Sequence, residues 1–249
     1  VGAVDEDETR TDALMVATMD TKDKTINVMN IPRDTMCNNT ATGASKKINA
    51  AYGMDTGGKG GNIEQTSKEI ERLMGFRPDK YVIVNFDGIA AIVDAIGGVD
   101  YDVPFDMKYD DPSQNLHIDL KKGQQHLDGK QTVGFLRWRH NNDYTVQYTN
   151  GDEGRVENQQ KFLKALAGQV LQIKNVTKIR SIAEAVFKNV KTDFSAGELL
   201  WMGMQAMQID NSSIQFFTLP GYGKMSTAGT SVQYSFFFPY YDQTLELVN

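Results

Sequence analysis

Short apolar runs recur along the chain, and their spacing predicts strands in some places and helices in others. The strand-like runs ALMVATM (residues 13–19) and TINVMNI (residues 25–31) flank the polar segment DTKDK, a pattern typical of an antiparallel hairpin. The fully apolar run YVIVNF (residues 81–86) predicts a buried strand. SIQFFTLP and VQYSFFF predict late strands, and a polar loop is expected after VDYDVP.

Helix signals alternate with these strands. Asn62 precedes an amphipathic segment that Gly75 closes, and Asp87 is expected to cap the segment GIAAIVDAIGG. Asp128 is expected to begin a helix toward FLRWRH. Further helices are predicted over residues 153–173, around 178–189 and around 195–208.

The alternation of strands and helices favours an α/β fold. We predict a single-domain α-β-α sandwich over residues 1–249, with a mixed central sheet and helices on both faces, because no internal repeat or linker divides the chain. Residues 40–62 are small, polar and rich in glycine, so they predict a long surface loop.

Composition narrows the classes of function. The 249 residues carry a net charge of −6, which argues against a broad nucleic-acid-binding face. A single cysteine, Cys37, excludes an internal disulfide and a multi-thiolate metal site. No run is long and apolar enough to cross a bilayer. The chain begins at Val1 in an acidic stretch, so we expect that a membrane anchor stood upstream.

Arginines at the ends of apolar segments are the candidate chemistry. Arg33 and Asp34 follow the second apolar run after a single residue, Pro32. Arg137 and Arg139 lie two residues apart: they point apart in a helix but share one side of an extended segment. Any anion site must be such a local concentration of arginine on an acidic protein.

Arg155 and Gln159 lie one helical turn apart, in line with the apolar stripe of the longest predicted helix. Both lie in its first turns, where the helix dipole favours an anion. An alternative is a structural ion-pair network with Asp152 or Glu157. Spacing alone leaves both interpretations open.

Other motifs predict little chemistry. The segment GMDTGGKG approaches a phosphate-binding loop, but Gly60 stands where the magnesium-binding hydroxyl belongs. The three histidines lack metal-ligand spacing, which favours surface or capping roles, and Cys37 is expected to be inert.

Five segments, in this order, resemble the LytR–CpsA–Psr family. They are TRTDALMVATMDTKDKTINVMNIPRDT, KKINAAYG, GFRPDKYVIVNFDGIAAIVDAIGGVDYDVP, GQQHLDGKQTVGFLRWRH and GDEGRVENQQKFLKAL. The resemblance implies a membrane-anchored phosphotransferase at the extracellular face of the cytoplasmic membrane. Such an enzyme moves an anionic glycopolymer, of teichoic acid or capsule type, from a polyprenyl-pyrophosphate carrier to a hydroxyl of peptidoglycan.

The resemblance also implies residue roles. Asp12 would bind Mg²⁺, and Asp152 would be the general base, with Asp34 as its alternative and Arg33 as a catalytic arginine. The unusually long connection before Asp152 makes Asp143 another candidate for its place. The pyrophosphate-binding set would be Arg10, Arg33, Lys47, Arg137, Arg139, Arg155 and Gln159.

An apolar pocket for the prenyl chain is expected between residues 82–96 and 162–171. Three rival functions remain beside the transferase: a hydrolase that releases the carrier's phosphate to water, a regulatory binding module, and a wall protein without catalysis. No nucleic-acid partner is expected, and sequence does not decide the oligomeric state.

Overall fold

A computed structural model describes residues 2–4, 10–37, 39–54, 61–170 and 179–248. The strands are β1 (Gly2–Val4), β2 (Thr11–Asp20), β3 (Thr25–Ile31), β4 (Val82–Val84), β5 (Val99–Val103), β6 (Met107–Asp111), β7 (Leu116–Leu120), β8 (Gly123–Leu127), β9 (Val190–Thr192), β10 (Ile214–Thr218), β11 (Gly221–Ser226) and β12 (Tyr234–Pro239). The α-helices are α1 (Ile63–Met74), α2 (Phe86–Ile96), α3 (Gly129–Arg137), α4 (Gly151–Val170), α5 (Ile179–Asn189), α6 (Ala196–Ala206) and α7 (Tyr241–Val248). No helix among these residues is long and apolar enough to span a bilayer.

Six strands form the central sheet, in the order β10-β3-β2-β1-β4-β9. The predicted hairpin is present, since β2 runs antiparallel to β3 from Leu14↔Ile31 to Asp20↔Thr25. Because β10 pairs with β3 in parallel, and β1 with β4 likewise, the sheet is mixed, as predicted.

Helices cover both faces of this sheet, as predicted. On one face, Leu14 and Val16 of β2 pack in a core cluster with Ile70 and Leu73 of α1. Alternation along the strand turns Ala13, Met15 and Ala17 to the opposite face, toward α2 and α4.

Local capping signals place the helix ends. The side chain of Asn62 accepts a hydrogen bond from the backbone N–H of Gln65 at 2.9 Å, and Gly75 ends α1 with a φ of 77°. Asp128 and Gln131 form a capping box at the start of α3. The prediction for α2 was wrong by two residues: Asn85 is the cap, and its side chain accepts from Gly88 N at 2.8 Å.

Two predicted loops are structured. Within residues 40–62, the segments Gly43–Lys46 and Ile48–Gly53 form 3₁₀-helices, and Ile48, Ala51 and Tyr52 are buried. The scattered apolar residues of this glycine-rich segment anchor it to the core, so the loop prediction was wrong there.

The polar loop expected after VDYDVP contains strands β6, β7 and β8 instead. β6 pairs with β7 in one two-stranded sheet, and β8 pairs with β5 in another. Only alternate positions of these strands, such as Ile118 and Leu120, face the core. The polar residues between them make the segment resemble a loop in the sequence.

Candidate functional site

A cavity of about 770 Å³ lies between the central sheet and helices α2, α3 and α4. Most of its wall is apolar, and it includes Met15, Phe86, Ile92, Phe162, Leu166 and Phe216. Val84, Phe86, Ile89, Ile92 and Val93 come from residues 82–96, and Phe162, Leu163 and Leu166 come from residues 162–171. The cavity therefore lies between the two segments where a pocket was expected.

Arg137 and Arg139 line the cavity together because the chain leaves the helix between them. α3 ends at Arg137, and Trp138 is extended, with φ of −62° and ψ of 137°. Trp138 is 1% exposed and points into the core, so the two arginines share the other side of an extended segment. Arg137 donates to the side-chain oxygen of Gln114 and lies over the ring of Phe86 at 5.0 Å.

Arg155 and Gln159 reach the same cavity from the first turns of α4. Arg155 is 8% exposed, and the Gln159 amide donates to the backbone carbonyl of Leu136 at 2.9 Å. This hydrogen bond ties α4 to the end of α3. Glu157, one of the two ion-pair partners considered for this turn, is exposed and pairs with Lys161 at 2.6 Å. The structure thus brings Arg137, Arg139, Arg155 and Gln159 together on the wall of one cavity.

The cavity has two chemically different ends. The arginine end is formed by Arg137, Arg139 and Arg155, and the apolar end by Ala17, Leu166 and Phe216. Along β2, the lining runs from Ala13 to Ala17, which is about 13 Å of strand. No Asp or Glu belongs to the described lining. Positive charge at one end and hydrocarbon at the other suit a ligand with an anionic head and a long apolar chain.

Arg33, Asp34 and Lys47 form a neighbouring group that does not line the cavity. The Lys47 ammonium pairs with the Asp34 carboxylate at 3.0 Å and lies 5.7 Å from the centre of the Phe236 ring. Arg33 is half-buried, two residues beyond Ile31, the residue that pairs with Leu14. This group therefore lies at the end of the sheet where Ala13 lies. Arg33, the fourth arginine expected at the site, is not among the described lining residues.

Arg10 and Asp143 are not among the described lining residues. Arg10 is exposed, directly before β2. The side chains of Asp12 and Asp152 lie outside those that the structure describes. Asp143 is exposed, and its carboxylate accepts from the backbone N–H of Thr145 at 3.1 Å and from its hydroxyl at 2.8 Å. The glycine-rich segment of residues 55–60 also lies outside the described residues.

Three polar lining residues were not foreseen: Gln114, Tyr109 and His140. Gln114 and Tyr109 come from the segment predicted as a loop, where no pattern marks them. His140 follows Arg139 directly, and its ring stacks on Tyr144 with centroids 4.1 Å apart. His140 is half-buried on the cavity wall, and its adjacency to the paired arginines was the available signal.

Cys37 is buried, away from this cavity. Burial raises the pKa of its thiol well above the ordinary value, with a contribution from the nearby carboxylate of Glu69. The thiolate form is therefore disfavoured, in agreement with the expectation that Cys37 is inert.

Comparison with known proteins gives a consistent result. The model of the LytR_cpsA_psr family matches residues 2–240. The polyisoprenyl-teichoic acid–peptidoglycan teichoic acid transferase TagV of Bacillus subtilis (strain 168) is 37% identical over 213 residues, which are 82% of this chain and 51% of that protein. The transferase of the same description, TagU, from Bacillus anthracis is 32% identical over 197 residues, covering 79% of this chain and 59% of that protein. The chain thus spans about half to three fifths of the length of these relatives.

Solved structures agree in fold. The crystal structure of B. subtilis TagV superposes with a TM-score of 0.76 at 31% identity, covering 96% of this chain and 86% of that one. A structure of TagT bound to LI-WTA superposes with a TM-score of 0.71 at 22% identity, covering 99% of this chain and 85% of that one. At that identity the second likeness concerns the fold alone.

Proposed function

The chain belongs to the LytR–CpsA–Psr family, and from this membership we propose that it transfers a teichoic-acid-type glycopolymer from a polyisoprenyl carrier to peptidoglycan. The names of the relatives TagV and TagU support the donor and the acceptor. The observation that carries the proposal is the cavity, which has three arginines at one end and is apolar at the other.

The carrier lipid fits this cavity by its chemistry. Each methylene moved from water into an apolar wall contributes about 0.8 kcal/mol, so a long prenyl chain is held without any polar contact. The diphosphate then lies at the arginine end, where Arg137, Arg139 and Arg155 supply forked, permanently charged donors. Arg10, Arg33 and Lys47 are proposed to bind the polymer side of the diphosphate from the adjacent end of the sheet.

The proposed reaction is a phosphoryl transfer. The acceptor hydroxyl oxygen attacks the phosphorus that carries the polymer, the P–O bond to the bridging oxygen breaks, and polyprenyl monophosphate leaves. The acceptor proton passes to a carboxylate, which we propose to be Asp152, with Asp34 as the alternative. Arg155 neutralises the charge that develops on the transferred phosphoryl oxygens, the main task of a protein in such reactions. Asp34 already pairs with Lys47, which makes it the weaker candidate for the base.

Mg²⁺ is part of the proposal, with Asp12 as its ligand. The described lining contains arginines and no carboxylate, so the described residues fit the diphosphate rather than the ion itself. A bound Mg²⁺ would neutralise phosphate charge and orient the phosphates. Titration calorimetry with MgCl₂ in the presence of inorganic pyrophosphate tests this, because Asp12→Asn should abolish the Mg²⁺-dependent part of the heat. Unchanged heat in that variant would remove Asp12 from the proposal.

We propose that the protein works at the outer surface of the cytoplasmic membrane, held there by an anchor upstream of Val1. Its donor is a membrane lipid and its acceptor lies in the wall, so the domain must stand between the two.

A reconstituted transfer assay tests the function. The donor is a short-chain polyprenyl-diphosphate glycopolymer, and the acceptor is a set of soluble peptidoglycan strands. A transferase yields strand-linked polymer and one polyprenyl monophosphate per linkage, both measured by mass spectrometry. Free phosphorylated polymer with no linkage would indicate the hydrolase instead, and an unchanged donor would overturn both. Arg155→Ala serves as the inactive reference.

A further inference from the structure

Helix α6 presents large apolar side chains to solvent. None of its residues is buried, and Leu200, Trp201 and Met204 are 38%, 51% and 52% exposed. Phe187 of the adjacent helix α5 is 46% exposed. These four side chains are called the α5–α6 apolar face.

Charge is excluded from the α6 part of this face. From Leu199 to Ile209 the sequence contains no Asp, Glu, Lys or Arg. The only charge on α6, Glu198, lies in its first turn and is held by Lys80 at 3.0 Å and by the backbone N–H of Ser195 at 2.7 Å. A face that combines Trp, Met and Leu without charge is typical of a surface that meets hydrocarbon.

The α5–α6 apolar face lies near the apolar end of the cavity. Lys24, in the turn between β2 and β3, donates to the side chain of Gln208 at 3.0 Å, just beyond the end of α6. On the other side, a Cβ on Gly168 of α4 would lie 3.0 Å from the side chain of Asn211, in the connection from α6 to β10. Both contacts place the C-terminal end of α6 beside the C-terminal ends of β2 and α4. The arginines lie toward the opposite ends of these two elements.

The volume of the cavity indicates which partner the α5–α6 apolar face contacts. At about 30 Å³ for each methylene-sized group, the volume that one water occupies in the liquid, 770 Å³ holds about 25 carbons. A longer polyprenyl chain must leave the cavity, and its exposed remainder needs an apolar environment. A second copy of the chain is a poorer occupant, because the four side chains expose about 400 Å² in all, half of what one partner of a stable interface contributes.

We propose that the α5–α6 apolar face docks on the surface of the lipid bilayer. The apolar end of the cavity then faces the lipid, and the arginine end faces the wall. This inference rests on the proposed function for the identity of the carrier, and it adds the surface by which the domain meets the membrane.

The two tryptophans allow a direct test. Trp201 is 51% exposed on this face, whereas Trp138 is 1% exposed in the core. With vesicles of phosphatidylcholine brominated in the acyl chains, we expect Trp201 emission to be quenched and shifted to shorter wavelength. Trp201→Phe, which retains only Trp138, should show no quenching. Absence of quenching in the wild type would overturn the proposal.

A matched pair of variants locates the surface. Trp201→Ser with Met204→Ser should lower the vesicle-bound fraction about tenfold in cosedimentation. Tyr222→Ser with Tyr240→Ser removes two aromatic rings, each 44% exposed, from β11 and from the residue that follows β12, and should leave the bound fraction unchanged. Equal losses in both variants would refute the location.

Transfer from the water-soluble short-chain donor, assayed without vesicles, separates the two proposals. The Trp201→Ser, Met204→Ser variant should retain wild-type transfer in that assay. If the wild type is quenched by vesicles but transfers nothing, the docking inference stands and the proposed function fails. If transfer occurs without quenching, only the docking inference fails.

Discussion

Replacing Arg155 by alanine should lower the rate of transfer by about 10³. Arg155 is 8% exposed on the cavity wall, in the second turn of α4, and its guanidinium is permanently charged. Water is largely excluded around it, so its attraction for a phosphoryl oxygen is screened less than at the surface.

The expected magnitude follows from distance and screening. Two unit charges about 4 Å apart interact by about 4 kcal/mol at an effective dielectric constant of about 20. At about 1.4 kcal/mol for each tenfold, this loss corresponds to about 10³ in rate, at the lower end of the 10³–10⁵ typical of arginines in phosphoryl transfer. Because Arg155 is buried, its removal also changes the free energy of unfolding, and thermal unfolding measures that change separately from the rate.

Three variants make the assay decisive. Arg155→Ala removes charge and stem, Arg155→Met keeps the stem without the charge, and Arg155→Lys keeps the charge without the fork. Transfer is measured with the short-chain donor, and folding by thermal unfolding. Arg77→Ala is the matched control, because Arg77 is a surface arginine paired with Glu64, outside the cavity.

The expected order of rates is wild type and Arg77→Ala first, then Arg155→Lys, and last Arg155→Met together with Arg155→Ala. A folded Arg155→Ala protein that transfers within tenfold of the wild type would refute the electrostatic reasoning. A rate for Arg155→Met far above that for Arg155→Ala would show that Arg155 acts by packing instead.

Three further predictions concern the cavity, the thiol and one surface carboxylate. Leu166→Trp fills the apolar end, so binding of a polyprenyl monophosphate, measured by native mass spectrometry, should fall at least tenfold while binding of inorganic pyrophosphate persists; equal loss of both would contradict a two-ended cavity. Burial raises the pKa of Cys37, so a maleimide should label the folded protein at least about 100-fold more slowly than the urea-unfolded chain, and fast labelling of the folded protein would contradict the burial. Hydrogen bonds from Ser195 and Lys80 lower the pKa of Glu198 to about 2 from its ordinary 4.5, so its stabilising effect is complete above pH 4.5 and is lost as the pH falls toward 2. Glu198→Gln should therefore lower the guanidinium midpoint at pH 7 and progressively less at pH 4 and 3, and a pH-independent deficit would contradict this assignment.

Local interactions explain what could be predicted from sequence. The hairpin of β2 and β3 and the caps at Asn62, Asp128 and Gly75 depend on residues within a few positions of one another. The same holds for Arg155, Gln159 and Phe162, whose common stripe on α4 follows from helical periodicity. For this reason the α/β sandwich was predictable, and so was the shared orientation of Arg155, Gln159 and Phe162 toward the cavity.

Weak local patterns explain the errors. The strands β6, β7 and β8 expose polar residues at alternate positions, and the 3₁₀-helices within residues 40–54 bury only a few apolar side chains each. Tertiary contacts, rather than propensity, order these segments.

Periodicity and motif spacing are local properties of a chain, so they were enough to predict the family, the order of most strands and helices, and the candidate arginines. Which of those arginines meet depends on the tertiary fold. The extended turn at Trp138 brings Arg137 and Arg139 to the side that Arg155 reaches from another helix, while Arg33 stays outside the lining. Only the tertiary structure, likewise, separates an open cavity from a filled core. Apolar periodicity is the same for both, and the difference lies in how far apart the sheet and the helices pack.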